Sequence, residues 1–135
     1  MIAAADVVFA GEDEAAMFVG EAADAAEYAS RLLDLGAREA VVKRGPLGAV
    51  TATAGGVITS APAHTIDVVD TVGAGDAFVA GYLSATLQGA DIHTRLQIAN
   101  ATGACACMAL GDWEGAARAQ DMKMLLNPTA DPVAR

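Results

Sequence analysis

Basic residues are scarce in this sequence. Eight Lys and Arg stand against seventeen Asp and Glu, a net charge of −9 over 135 residues, with an isoelectric point near 4.4. So acidic a chain repels phosphate backbones and anionic lipid, which argues against nucleic acid or a membrane surface as its partner. Long apolar runs are missing too. None approaches the roughly 18 uninterrupted apolar residues of a membrane-spanning helix. Met1 is not followed by the basic and then apolar segments of a secretory leader, and the chain is expected to be cytoplasmic. The only cysteines, Cys105 and Cys107, sit two positions apart. On a helix they face roughly 200° away from each other. That spacing disfavours a shared metal or a local disulfide and suits two small buried apolar side chains. His64 and His93 have no second histidine or carboxylate at ligand spacing, which suits surface or cap positions. Aromatic residues make up 4% of the chain and hydrophobic residues 54%, heavily Ala and Val. The expectation is one domain whose core is made of small side chains in closely packed elements.

What is present is an alternation of strand-like and helix-like segments. Residues 6–10 form a short apolar run, and residues 11–18 a short helix with an acidic first turn, which suits the helix dipole. Residues 22–35 are amphipathic: Ala25, Ala29, Leu32 and Leu33 share one side, with Asp24, Glu27, Arg31 and Asp34 outside. Gly36 follows as the stop. Residues 39–43 read as a second strand, and a helix between two strands implies a parallel pair. After a turn at 43–48, residues 49–53 and 57–59 flank Gly55-Gly56 as a hairpin. Helices are expected at 73–88, at 95–110 behind Asp91 or Thr94 as cap, and at 118–126. Phe78, Val79, Leu83 and Leu87 of the first of these are expected to pack onto the sheet. Trp113 lies in the loop 111–115, where it would cover a core edge, and the tail 128–135 is expected to be flexible.

The stretch Asp70-Thr71-Val72-Gly73-Ala74-Gly75-Asp76 organises the rest. It joins an extended segment, residues 64–69, to an apolar helical run, 77–87. The first N–H groups of a helix lack internal partners, and the dipole makes that end positive. Glycines let the backbone approach an anion closely and adopt φ > 0. Asp76 sits within this anion-seeking turn, where a phosphate would repel it. A base that takes the proton from a hydroxyl attacking a phosphoryl group would account for it. A plain connecting turn with Asp76 as a first-turn acidic residue is the competing explanation.

The run Asp70 to Asp76, followed by Phe78 and Gly81 in Asp-Ala-Phe-Val-Ala-Gly-Tyr, closely resembles the second signature of the ribokinase-like (PfkB) carbohydrate kinases. The resemblance spans nearly the whole chain and matches roughly the C-terminal half of such a kinase, residues 1–127. The half with the glycine-pair signature, sugar pocket and lid strands has no counterpart. It implies an α/β, three-layer ribokinase-like fold, of which this is the C-terminal nucleotide-binding portion with a mostly parallel sheet. It also implies ATP-dependent phosphorylation of a sugar or sugar-acid hydroxyl. Residues 41–49 and 111–115 look somewhat like 2-keto-3-deoxygluconate kinases, in preference to fructokinase-like or ribokinase-like members. A nucleotide-binding fragment without kinase activity, or a truncated product that needs a partner half and self-associates, is the alternative.

Roles follow from the same resemblance. Asp76 would be the catalytic base, and the amides of Gly73, Ala74 and Gly75 the anion hole for the transferring phosphoryl group. Lys43, Gly45, Gly48 and Asn100 would contact ATP, with Arg44 beside Lys43 near its phosphates or ribose. Backbone amides and a divalent cation can hold ATP on an acidic protein. Mg2+ would bridge the phosphates through water, with Glu14 as the acidic residue of an Asn-x-x-Glu motif. Here Gly11 stands where that motif has Asn. Asp70, Val72 through its carbonyl, and Gly111 occupy the places of a monovalent cation site, for K+.

Overall fold

The computed structural model describes residues 2–111 and 116–127. Trp113 and the tail 128–135 lie outside the described residues. The chain divides into two compact units, Met1–Ala63 and His64–Arg135.

The first unit begins with a 3-10 turn at Ile2–Ala4 and the strand β1, Val7–Gly11. Helices α1, Glu12–Val19, and α2, Ala25–Asp34, follow, then β2, Glu39–Lys43. A 3-10 turn at Gly45–Leu47 leads to β3, Ala49–Thr53, and β4, Ile58–Ala61. The sheet order is β1-β2-β3-β4. β1 and β2 run parallel with Gly11 opposite Lys43, whereas β2/β3 and β3/β4 are antiparallel. The sequence predicts a mostly parallel sheet; these four strands form a mixed one. The reason lies in the connections. Only the two-helix segment between β1 and β2 is long enough for a parallel crossover, and the glycine turns after β2 and β3 return the chain directly.

The α2 cap explains why the helix starts later than its amphipathic pattern. The Asp24 carboxylate accepts the Glu27 N–H at 2.9 Å, so residues 22 and 23 stay outside. Ala25, Tyr28, Ala29 and Leu32 then meet Ala10, Ala15, Ala40, Val42, Val50 and Ala52 in one buried cluster. Small side chains let α2 lie close to the sheet, as the Ala-rich composition predicts. Val41 and Thr51 alternate with Val42 and Val50 along their strands and are fully buried as well. The centre of the sheet is thus closed to solvent on both faces, and burial of each Val contributes about 1.5–3 kcal/mol.

The second unit contains helices α3, Ala74–Leu87, α4, Ile92–Cys107, and α5, Ala119–Leu126. Asp91 is the α4 cap: its carboxylate accepts the Thr94 N–H at 3.0 Å and the Thr94 hydroxyl at 2.8 Å. The helix therefore starts three residues before the expected Arg95. The extended segment 64–69 joins no strand ladder among the described residues. Its end is tied instead to α4, where the Cys107 carbonyl accepts the N–H groups of Val69 (2.8 Å) and Asp70 (3.2 Å). The buried face of α3 also differs from expectation. Phe78, Gly81, Tyr82 and Ala85 are buried, while Leu83 is 42% and Leu87 90% exposed. The spacing 78, 81, 82, 85 is one helical stripe, and it packs on α4, where Gly81 meets Ala99 and Thr102. Phe78 and Tyr82 stack within it at 6.5 Å. Cys105 is buried and Cys107 half-buried, both as free thiols. Burial pushes both thiols above their ordinary range, which suits the expected packing role.

Candidate active site

In the second unit the motif folds into a glycine turn at the head of α3. Gly73 is the helix N-cap at φ 74°, a left-handed conformation that side chains disfavour. Ala74, Gly75 and Asp76 therefore fill the first three helical positions. Gly75 has ordinary helical backbone, so conformation demands glycine at 73 and not at 75. The Ala74 N–H makes a long 3.3 Å bond to the Thr71 carbonyl. The Gly73 and Gly75 N–H groups take no backbone partner among the described residues. A turn of this kind presents donors and positive helix-end potential at one point. Asp76, in the same first turn, is exposed.

Asp70 opens the turn. Its Oδ1 accepts the Val72 N–H at 3.1 Å, and its Oδ2 accepts the Gly111 N–H at 3.2 Å. The Val72 amide first, and the Gly111 amide second, hold the Asp70 carboxyl below the usual carboxylate range. The structure thus brings together Asp70, Val72 and Gly111, the residues expected around a monovalent cation. It joins them through amide donors to a carboxylate. Asn100 lies on α4, buried at 7% exposure.

The remaining expected residues lie in the first unit. Lys43 closes β2, and its Nζ is 4.0 Å from Glu14 Oε2. That same oxygen accepts the Gly11 N–H at 2.6 Å, so Glu14 reaches back to cap the start of α1, the one half of a capping box that a glycine N-cap allows. Beside them Arg44 Nε lies 3.5 Å from Glu12 Oε1, a charge contact without hydrogen-bond geometry. The carboxyl ends of the parallel pair β1/β2 therefore carry two cations facing two anions. Gly45 has φ 54° with open space at its Cβ position. Gly48 is different: a Cβ there would meet the Ala61 carbonyl oxygen, Ala63 N at 2.7 Å and Pro62 C at 2.8 Å. Close backbone packing alone requires glycine at 48.

Two features escaped the sequence. One is the Cys107 carbonyl as anchor for the motif's entry. The other is the Glu12–Arg44 pair, which follows from the register that sets Gly11 opposite Lys43. Backbone carbonyls carry no residue-type signal, so only the second was accessible in principle.

The sequence profile described as pfkB family carbohydrate kinase matches residues 1–116. The chain is 39% identical to the ATP-dependent ribose-1-phosphate kinase of Halopiger xanaduensis over 98% of its own length and 39% of the relative's. It is 36% identical to a 2-dehydro-3-deoxygluconokinase of Bacillus subtilis, over 82% of this chain and 34% of that one. A candidate ribokinase II of E. coli, solved in complex with ATP and Mg2+, superimposes with a TM-score of 0.84 at 28% identity. That match covers 94% of this chain and 41% of the E. coli chain. The chain thus spans about two fifths of the length of the relatives it matches. An α/β chain carrying Asp70 to Asp76 on a glycine turn, matched by the family profile over most of its length, belongs to the pfkB family of carbohydrate kinases.

Proposed function

We propose that this chain supplies the ATP-handling part of a kinase that phosphorylates a hydroxyl of a sugar or sugar acid. One observation carries the reading: Gly73 turns the backbone so that its own and the Gly75 amide, without backbone partners among the described residues, share a helix start with the exposed Asp76. In this reading the amides of Gly73, Ala74 and Gly75 hold the transferring phosphoryl group, where fixed dipoles stabilise developing charge. Asp76 takes the proton from the acceptor hydroxyl. Lys43, Gly45, Gly48 and Asn100 serve the nucleotide, with Gly48 acting through the turn it permits. Residues 1–127 are then the C-terminal part of a kinase domain whose complete form is three-layered and mostly parallel.

Mg2+ fits these residues in a limited way. The described residues hold no group of three or more metal-ligating side chains. An ion held by phosphates and water needs only a nearby carboxylate. Glu14 meets that need, because its contacts with Gly11 and Lys43 both use Oε2. When bound, the ion neutralises phosphate charge. For potassium, Asp70 would supply the charge beside the Val72 and Gly111 backbone, each of its oxygens accepting one amide N–H and keeping further lone-pair capacity. No step is assigned to a monovalent ion. No helix among the described residues is long and apolar enough to cross a membrane, in keeping with a soluble kinase of the cytoplasm.

The test is replacement of the matching segment of the Halopiger xanaduensis ribose-1-phosphate kinase by this chain. ATP-dependent phosphorylation of ribose 1-phosphate is expected, with 2-keto-3-deoxygluconate as a second acceptor. Asp76→Asn should lower the rate about 10²–10⁴-fold while ATP binding persists. A chimera that turns over normally with Asp76→Asn refutes the assignment of the base.

A further inference from the structure

We propose that Asp70 is a positioning residue: its two carboxylate oxygens, each on a backbone amide, set the glycine turn. The inference rests on the phosphate-holding role given to that turn above. Oδ1 closes a tight turn onto the Val72 N–H, one residue before Gly73 swings into the left-handed region. Oδ2 reaches the Gly111 N–H, 41 residues along the chain. The backbone on either side is pinned as well. The N–H groups of Val69 and Asp70 share the Cys107 carbonyl, one of the last carbonyls of α4 that the helix itself leaves unpaired. The loop entering α3 and the loop leaving α4 are thus joined twice, once by backbone and once by the Asp70 side chain.

The chemistry of the joint requires a carboxylate. Both partners are donors, so both oxygens must accept, and ionised acceptors make the stronger bonds. An amide in the same place accepts with one oxygen and turns an NH2 group toward the other N–H. Asp70→Asn therefore breaks one of the two bonds, and Asp70→Ala breaks both. Because Gly73 to Gly75 follow immediately, loss of the joint releases the amides that would meet a phosphate. Fixed donors are effective because they need no reorganisation when charge develops.

The test uses the 135-residue chain and its amide resonances, with residues 39–53 as the control for intact fold. In Asp70→Ala the Val72 and Gly111 amides should exchange about tenfold faster or more, and the Gly73 to Gly75 resonances should shift. Asp70→Asn, the milder change, should release one of the two amides. Titration with MgATP and with AMP then separates positioning from folding. Positioning lowers ATP affinity relative to AMP, whereas a folding role lowers both together. Unchanged exchange at Val72 and Gly111 in Asp70→Ala overturns the inference. So does a wild-type chain that shows the variant's pattern when K+ is replaced by tetramethylammonium. If exchange behaves as expected but ATP moves no amide in the wild type, the joint stands and the nucleotide reading fails.

Discussion

Gly81→Ala sets two opposing effects against each other on α3. Helix propensity favours the change, since Ala is better than Gly in a helix interior by about 1 kcal/mol. Packing opposes it. A Cβ at 81 would press on Thr102 Oγ1, lie 2.9 Å from Thr102 Cβ and 3.2 Å from Ala99 Cα. The hydroxyl alone is able to rotate away, but it donates to the Ile98 carbonyl at 2.6 Å, and losing that bond costs about 0.5–1.5 kcal/mol. Thr102 Cβ and Ala99 Cα move only with α4 itself, and such overpacking costs about 1–3 kcal/mol. The net expectation is destabilisation by about 1–3 kcal/mol, with a thermal midpoint lower by about 4 °C per kcal/mol. Urea titration and thermal melting of wild type and variant measure it. Adding Thr102→Ala, which removes Oγ1 and keeps Cβ, should restore part of the loss. A Gly81→Ala protein about 1 kcal/mol more stable than wild type would show that the helices separate freely and that the close crossing constrains nothing.

Gly48→Ala should cost about 3 kcal/mol or more in thermal or urea unfolding, because every atom its Cβ would meet is backbone and φ is 91°; a neutral effect would refute the packing. The Asp91 carboxyl is held below its ordinary value of 3.8, first by the Thr94 backbone N–H and then by its side chain. A lowered folded-state value means stability that is present above 3.8 and lost as pH falls through the folded value. The melting-point difference between wild type and Asp91→Ala should therefore be present at neutral pH and close in acid; a difference constant down through that range contradicts the cap. The chain alone should release negligible ADP with a panel of sugars and sugar acids, because it spans about two fifths of its relatives' length and orientation of the acceptor hydroxyl is expected from the remainder. It should also associate in sedimentation, since Met17 and Phe18 are 86% and 63% exposed and β1 is an edge strand. A monodisperse monomer turning over at about 1–100 per second would refute both expectations.

Local patterns were legible where local physics decides the structure. The strand at 39–43 and the hairpin around Gly55-Gly56 stand where alternation and glycines placed them. The apolar side of α2 is the side the helical spacing predicts, with Tyr28 added. Patterns failed where partners are distant. Residues 64–69 carry strand-like composition, yet Val69 and Asp70 bond to the end of α4 and, among the described residues, to no strand. Leu83 and Leu87 are apolar but lie off the stripe that meets α4, and residue type alone does not choose between two apolar faces. Within the motif, sequence singled out both glycines, but only the dihedral angles separate Gly73, which needs φ > 0, from Gly75, which does not. Glu14 was legible as an acidic residue near α1, and its acceptance of the Gly11 N–H is a local pattern too. Asp70, Val72 and Gly111 were named together from the family resemblance, while their joining through amides is visible only in three dimensions.

The central claim is that the turn from Gly73 to Gly75 meets the phosphates of ATP. Titration of the wild-type chain and of Gly75→Val with MgATP, followed through backbone amide resonances, tests it most directly. Position 75 is the second residue of α3 with ordinary helical backbone, so valine there should leave the fold intact while covering the amide. The expected result is a saturable shift of the Gly73, Ala74 and Gly75 amides in the wild type, lost in a well-folded Gly75→Val protein. Equal ATP affinity in the two proteins, or a wild type whose turn amides stay fixed at saturating nucleotide, would contradict the claim.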